Sequence, residues 1–466
     1  MKLLLLIPDG VGVRNFIYTD FVDLALSRGN DLSVWADENV LNLISRAGIE
    51  KHYLPREKST TSLIEIRRKA WSKGLLKWQA KHFNNHVYLR YIFHNRKTSF
   101  KSLGKAIIEG FILLANKDRK NLNKIRNKYL EDCKRIPYYK KCLDQIKIIR
   151  PDIVFCTHQR SSRAIAPLLA AQSIGIRTAC FIYSWDNLPK ANLYIKADNY
   201  FVWSHHMKEE ILLYYPELDS ANIFITGTPQ FVPYFDSSKK VSRNEFAKKY
   251  CLPLERKWIC FSGDDITTSP HDQFYLKDLA EAVQQWNSTH VEKLHIVFRR
   301  CPTDFSSRYD DIINEYYEIM TEVRPAWNAL SNAVGWDKIV PEEKDIQLLV
   351  NTVLQCEFVV NVGSTMAHDF SLYNKPCIYI KYNIDQKKSL WSAISIYENI
   401  HFQTMHDLEP VIWIESKSLW LDKIHYALYE SEDVVTDCKK WHERVVLYPL
   451  EEANGRILQT LENLTK

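Results

Sequence analysis

The chain has 466 residues, long enough for two or three domains, and its 46% hydrophobic and 25% charged content belongs to a folded globular protein, not a disordered or fibrous one. The formal net charge of +6 conceals a segregation: residues 51–150 hold 26 Lys and Arg against 7 Asp and Glu, while the remainder holds 36 against 49. The ten cysteines lack Cys-x-x-Cys or Cys/His zinc spacing and read as small buried hydrophobes, and no apolar run reaches the ~20 residues a bilayer requires.

Taken in order, Lys2–Ile7 reads as a buried first strand; Asp9 and Gly10 end the apolar run too early for a secretory signal. A loop over 8–14, a helix over Asn15–Arg28 and a strand over Asp31–Trp35 follow. Asp9, Gly10, Gly12 and Arg14 lie at the C-terminal end of the first strand, where open α/β sheets place ligands. The Gly10-Val11-Gly12 turn lacks the third glycine of a dinucleotide fingerprint. Residues 57–148 change character: Lys, Arg and aromatics dominate, with apolar residues at helical spacing, as in Leu122, Ile125 and Tyr129. We expect a basic helical insertion. Its aromatics Trp71, Trp78, Phe83, Tyr88, Tyr91, Phe93, Phe100 and Phe111, together with its cations, suit an anionic membrane surface. No nucleic-acid motif accompanies the charge, so a nucleic-acid partner is not expected.

The α/β rhythm resumes with strands at Asp152–Thr157, Arg177–Tyr183, Asn199–Trp203 and Ile223–Thr226, and helices at Ser162–Ile174 and Met207–Tyr215. A second α/β unit opens near Trp258, with strands at Trp258–Ser262, His295–Arg299, Phe358–Val362 and Cys377–Ile380, and helices at Gln273–Trp286 and Ile346–Gln355. Leu450–Leu464 reads as a final helix. P-loop, nucleophile-elbow and His-Glu-x-x-His motifs are all missing from the sequence.

The most informative string runs from Cys356 to Asp369 and on to Asn374-Lys375-Pro376. Phe358, Val359, Val360 and Val362 form a nearly continuous apolar strand. Gly363 permits a tight turn, and Ser364 and Thr365 stand where a helix begins and can offer hydroxyls and N–H groups to a phosphate. Asp369 follows about one helical turn later, in reach of a sugar hydroxyl. Gly363, Ser364, Thr365, Asp369, Lys375 and Pro376 resemble the donor site of GT-B glycosyltransferases, closest to bacterial surface-polysaccharide enzymes and the CDP-glycerol glycerophosphotransferase group. The resemblance implies two Rossmann-like α/β domains facing a cleft, with the helical insertion in the first and a C-terminal crossover helix. The expected boundaries are 1–240 for an acceptor domain (insertion about 57–148), 241–448 for a nucleotide-donor domain, and 449–466 for a helix returning to the first.

The resemblance further implies donor contacts from Gly263, Arg299 and Arg300, although Cys301 stands where relatives often carry His. If the reaction inverts, a base comes from Asp9, His158 or Asp186, all at strand ends, with the first two ahead of the third. Neither a metal nor a cofactor is expected. The implied activity is transfer of a sugar from a nucleotide-sugar donor to a cell-surface glycan or lipid-linked acceptor such as lipopolysaccharide, by a cytoplasmic enzyme peripheral to the inner membrane face. A CDP-polyol phosphotransferase, a nucleotide-sugar epimerase and a non-catalytic glycan-binding protein remain as alternatives.

Overall fold

The structure, a computed structural model, describes residues 1–92, 100–114, 118–329, 336–384 and 391–466. It divides into two compact units, Met1–Pro229 with Val446–Lys466, and Gln230–Val445.

The first unit is built on seven parallel strands: β1 (Lys2–Ile7), β2 (Asp31–Ala36), β3 (Ile49–Tyr53), β4 (Ile153–Cys156), β5 (Arg177–Phe181), β6 (Asn199–Val202) and β7 (Ile223–Ile225). Their order is β3-β2-β1-β4-β5-β6-β7. Leu3 to Ile7 are fully buried, as a strand covered on both faces requires. The order reverses between β1 and β4, which pair from Leu3↔Ile153 to Leu6↔Cys156. A doubly wound sheet opens its ligand crevice at such a switch point. The predicted helix over Asn15–Arg28 is broken: a π-helical turn occupies Val13–Ile17 and the α-helix spans only Phe21–Ser27. Asp9 sets this geometry. Its carboxylate caps the first turn by accepting from Val11 N at 3.1 Å and Gly12 N at 3.3 Å. Gly12 is needed here because a Cβ would strike the Thr157 hydroxyl and stand 2.9 Å from Ile7 Cγ2. The loops after β1 and β4 therefore close on each other.

The connection from β3 to β4 carries the helical insertion, with helices at Ser62–His82, Phe100–Leu114, Arg119–Cys133 and Pro137–Ile149. Part of its charge holds it together and fastens it to the rest of the unit. Arg126 is buried and donates to the carbonyls of Leu193 (3.1 Å) and Ile195 (3.0 Å). Arg119 pairs with Glu217 at 2.7 Å, Arg67 with Asp132, and Arg68 with Glu65 at 2.6 Å. Trp71 and Tyr88 are buried as well, so these two aromatics belong to the core and not to a membrane-facing surface. Phe93 lies outside the described residues. The C-terminal helix Ala453–Leu464 also belongs to this unit, through Asn454 to Thr19 Oγ1 (3.0 Å) and Asn30 to Glu462 (2.8 Å).

The second unit contains β8 (Lys257–Ser262), β9 (Leu294–Arg299), β10 (Met320–Glu322), β11 (Trp327–Ala329), β12 (Ile339–Pro341), β13 (Val359–Asn361), β14 (Cys377–Ile380) and β15 (Ile412–Ile414). Six form a parallel sheet in the order β10-β9-β8-β13-β14-β15, and β11 pairs antiparallel with β12. Lys375, just before β14, has a structural task. Its ammonium donates to the carbonyls of Val353 (3.0 Å), Leu354 (2.6 Å) and Cys356 (2.5 Å), at the C-terminus of the Lys344–Gln355 helix. A cation there satisfies orphan carbonyls and complements the negative end of the helix dipole. Lys375→Met should therefore cost the second unit about 2–3 kcal/mol, the scale of charge-assisted hydrogen bonds. Urea denaturation checks this, and an unchanged midpoint would show that the ammonium is not needed.

Candidate active site

Adjacent parallel strands bring together two residues that lie 149 apart in sequence. Asp9 follows β1, His158 follows β4, and Asp9 Oδ2 pairs with His158 Nδ1. Both side chains are buried. Asp9 is thus bonded on both oxygens, to the backbone N–H groups of its own turn and to the imidazole. Burial by itself opposes its ionisation. The charge and hydrogen bond of His158, the Gly12 N–H and the charge of Arg160 outweigh that, and the carboxyl lies below its ordinary value. Nδ1 faces the carboxylate, so Nε2 is the ring nitrogen left outside the pair. That nitrogen is buried and has no hydrogen-bond partner among the described residues. An unsatisfied buried nitrogen is costly, and a substrate hydroxyl placed against it would remove that cost.

Two neighbours to which the sequence alone gives no role complete the candidate site of the first unit. The Tyr183 ring, two residues beyond β5, packs against the imidazole at 4.2 Å between centroids. The Arg160 guanidinium lies 5.4 Å from the Tyr183 ring centroid and forms no hydrogen bond or ion pair among the described residues. It is a cation available to an anionic ligand. Their signal in the sequence was position alone, two residues past His158 and two past a strand end. Asp186 differs from the other two base candidates. Its carboxylate accepts from Ser184 Oγ (2.6 Å) and Asn187 Nδ2 (2.9 Å) and pairs with Lys190, which makes it the organiser of its own turn.

In the second unit, Gly363 adopts φ +77°, the left-handed conformation, and a Cβ there would approach Phe402 to 3.0 Å. Gly363, Ser364 and Thr365 are half-buried, whereas the residues on either side are buried. Ser364 N donates to Asn361 Oδ1 at 2.7 Å, and Ser364 Oγ accepts weakly from Met366 N at 3.4 Å. Thr365 precedes the six-residue helix Met366–Ser371 without capping it. Its hydroxyl and N–H carry no hydrogen bond among the described residues. Asp369 is buried and its Oδ1 accepts from Tyr234 Oη at 2.8 Å, so that oxygen already has a donor.

Arg299 and Arg300 are not the free cations that a diphosphate clamp needs. Arg299 is buried and holds both oxygens of Asp345, at 3.1 and 2.9 Å. Arg300 donates to Glu322 at 2.7 Å and to the Ser306 carbonyl, and its other end stands 3.5 Å from Asp310. Each anionic partner is remote in sequence, and once folded these pairs brace β9 against its neighbours. Gly263 follows β8 where a Cβ would crowd Tyr309 Oη (3.1 Å) and Asp272 Oδ2 (3.4 Å). Asp272 Oδ2 accepts from Asp264 N and Tyr309 Oη, both at 2.9 Å. Burial pushes Asp272 up to about 6, while burial, then Asp272 and Asp265, push Asp264 well above the usual carboxylate range. This loop therefore resists carrying full negative charge. Among the described residues, no group of three or more His, Cys, Asp or Glu side chains could hold a metal ion.

No protein family and no curated protein matches the sequence. Solved structures do resemble the fold. The S. aureus MnaA–UDP co-structure aligns with TM-score 0.53 at 11% identity, covering 100% of this chain and 97% of that one. The UDP-GlcNAc 2-epimerase from Neisseria meningitidis bound to UDP-GlcNAc gives 0.53 at 11%, covering 99% and 100%. A glycosyltransferase from Rickettsia africae gives 0.51 at 9%, covering 100% and 98%. At these identities the likeness concerns the fold, and the CDP-glycerol likeness of the Gly363–Pro376 string finds no counterpart among these matches. The chain has a GT-B-like fold, two parallel α/β domains of the kind found in UDP-sugar enzymes.

The Asp9–His158 pair has a measurable consequence. The folded Asp9 value lies below the unfolded one of about 4, so ionised Asp9 stabilises the fold at neutral pH, and that contribution is lost as pH falls through and below about 4. Asp9→Asn should be less stable by about 1–3 kcal/mol at pH 7, and the gap should narrow between pH 5 and 3. A gap that is constant with pH, followed by urea unfolding, would show that the charge of Asp9 is immaterial.

Proposed function

We propose that the protein is a nucleotide-sugar-dependent glycosyltransferase in which His158, oriented by Asp9, is the general base. The observation that carries this reading is the Asp9–His158 pair at the β1/β4 switch point, with Nε2 left unsatisfied. Nε2 removes the proton from an acceptor hydroxyl as the oxygen attacks the anomeric carbon, and Asp9 stabilises the imidazolium that forms. The bond from that carbon to the nucleoside diphosphate breaks, and the leaving oxygens need compensation. In the second unit we assign the Thr365 N–H and hydroxyl to the donor's diphosphate, and in the first unit Arg160 to an anionic part of the acceptor. Asp369, held by Tyr234, orients the donor's ribose. The acceptor we assign is a cell-surface glycan or its lipid-linked precursor at an anionic membrane.

A second reading is supported by the fold neighbours: two of the matched proteins are MnaA with UDP and a UDP-GlcNAc 2-epimerase. In an epimerase the same imidazole would move a proton at a sugar carbon. Incubation with UDP-, GDP-, CMP- and CDP-linked donors, followed by NMR, separates the two. The transferase reading expects slow donor hydrolysis that accelerates with acceptor, and the epimerase reading expects isomerisation of the intact donor. If no donor is consumed or isomerised, both fail and a glycan-binding role takes their place. Replacing Ser364 and Thr365 together by Ala should weaken nucleotide binding by about 1–3 kcal/mol. Calorimetry reads this, and unchanged affinity would remove the turn from the donor site.

A further inference from the structure

The Phe100–Leu114 helix is turned inside out. Phe100, Leu103, Ile107, Phe111 and Leu114 recur at three- and four-residue intervals and so share one face. That face is outward: relative exposure is 95% for Phe100, 52% for Ile107, 68% for Phe111 and 67% for Leu114. The helix's one acidic residue, Glu109, is buried instead and pairs with Lys73 at 2.5 Å. A helix presented to water would show the opposite arrangement. An exposed row of large apolar side chains on one element marks a surface that meets another phase or molecule.

The neighbouring charges indicate what that phase is. The Ser62–His82 helix packs alongside, with Leu113 near Gly74. It carries Lys69, Lys73, Lys77 and Lys81 at four-residue spacing, hence on one face. Lys73 meets Glu109, and Lys69 feels the charges of both, so this lysine row runs beside the apolar helix. Lys77 and Lys81 are exposed and have no ion pair among the described residues. Fifteen residues span about 22 Å, short of the ~30 Å hydrocarbon core, so the helix cannot cross a bilayer. An amphipathic helix with an apolar face and flanking lysines lies in the interface plane, its apolar face sunk about 5–10 Å.

We infer that the Phe100–Leu114 helix inserts its outward face into the surface of an anionic lipid bilayer, with Lys77 and Lys81 of the adjacent helix on the headgroups. This deepens the reading of a membrane-carried acceptor, and it differs from purely electrostatic attachment because part of the binding is apolar and outlasts salt. The test is co-sedimentation of the full chain with vesicles of phosphatidylglycerol and phosphatidylcholine, or of phosphatidylcholine alone. Wild type should bind the anionic vesicles and keep measurable binding at 0.5 M salt. Ile107→Ser with Phe111→Ser should lower partitioning at least tenfold at every salt concentration, with melting temperature and nucleotide affinity unchanged. Lys77→Gln with Lys81→Gln should weaken binding mainly at low salt. The inference is overturned if wild type ignores anionic vesicles, if salt releases it completely, or if the apolar variant instead dissolves a dimer seen in sedimentation equilibrium, which would identify a second copy as the occupant. Donor turnover and nucleotide affinity are read in solution without vesicles, so failure here leaves the enzymatic reading standing, and failure of that reading leaves this one measurable.

Discussion

A carboxylate buried at the end of a parallel strand stays ionised only when its surroundings neutralise it, and the first unit is arranged around meeting that condition for Asp9. The β1–β4 pairing places His158 against one carboxylate oxygen, and the turn begun by Gly10 supplies two N–H groups to the other. Gly12 lets the two loops touch, since any side chain there would collide with Thr157. The same arrangement fixes the imidazole with Nε2 outside the pair. An oriented imidazole with one unsatisfied nitrogen is what the proposed chemistry requires, and that requirement connects it to the strand order of this sheet.

The second unit uses its polar residues differently. Lys375 closes the end of a helix, Arg299 and Arg300 hold carboxylates, and Asp369 is gripped by a tyrosine. Lys375, Arg299 and Arg300, which would suit a phosphate on a surface, are here braces between parts of the unit. What stays accessible is the left-handed Gly363 turn with Ser364 and Thr365. Binding assigned to this region therefore rests more on backbone and hydroxyl donors than on arginine charge.

Strands buried on both faces were the plainest in the sequence. Leu3–Ile7, Ile153–Cys156 and Trp258–Ser262 read as continuous apolar runs because helices cover both sides. The edge strand Ile49–Tyr53 escaped notice because it is half exposed and carries Glu50 and Lys51. The short β10, β11, β12 and β15 offered three residues each, too few for any period. Asp9 and His158 were visible as rival bases, but not as a pair: their contact follows from strand order, which local sequence does not encode. The partners of Arg299 and Arg300 were hidden for the same reason, since Asp345 and Glu322 are 46 and 22 residues away. The basic block was legible as charge, while the inverted helix within it required knowing which face its neighbours cover.

The proposed task of His158 is to move a proton for a nucleotide-sugar reaction. The direct measurement is donor turnover at saturating substrate by His158→Ala, set beside nucleotide affinity of the same variant. Turnover should fall by roughly 10²–10⁴-fold, the range of general acid–base catalysis, with nucleotide affinity retained. Wild-type turnover in the variant would contradict it.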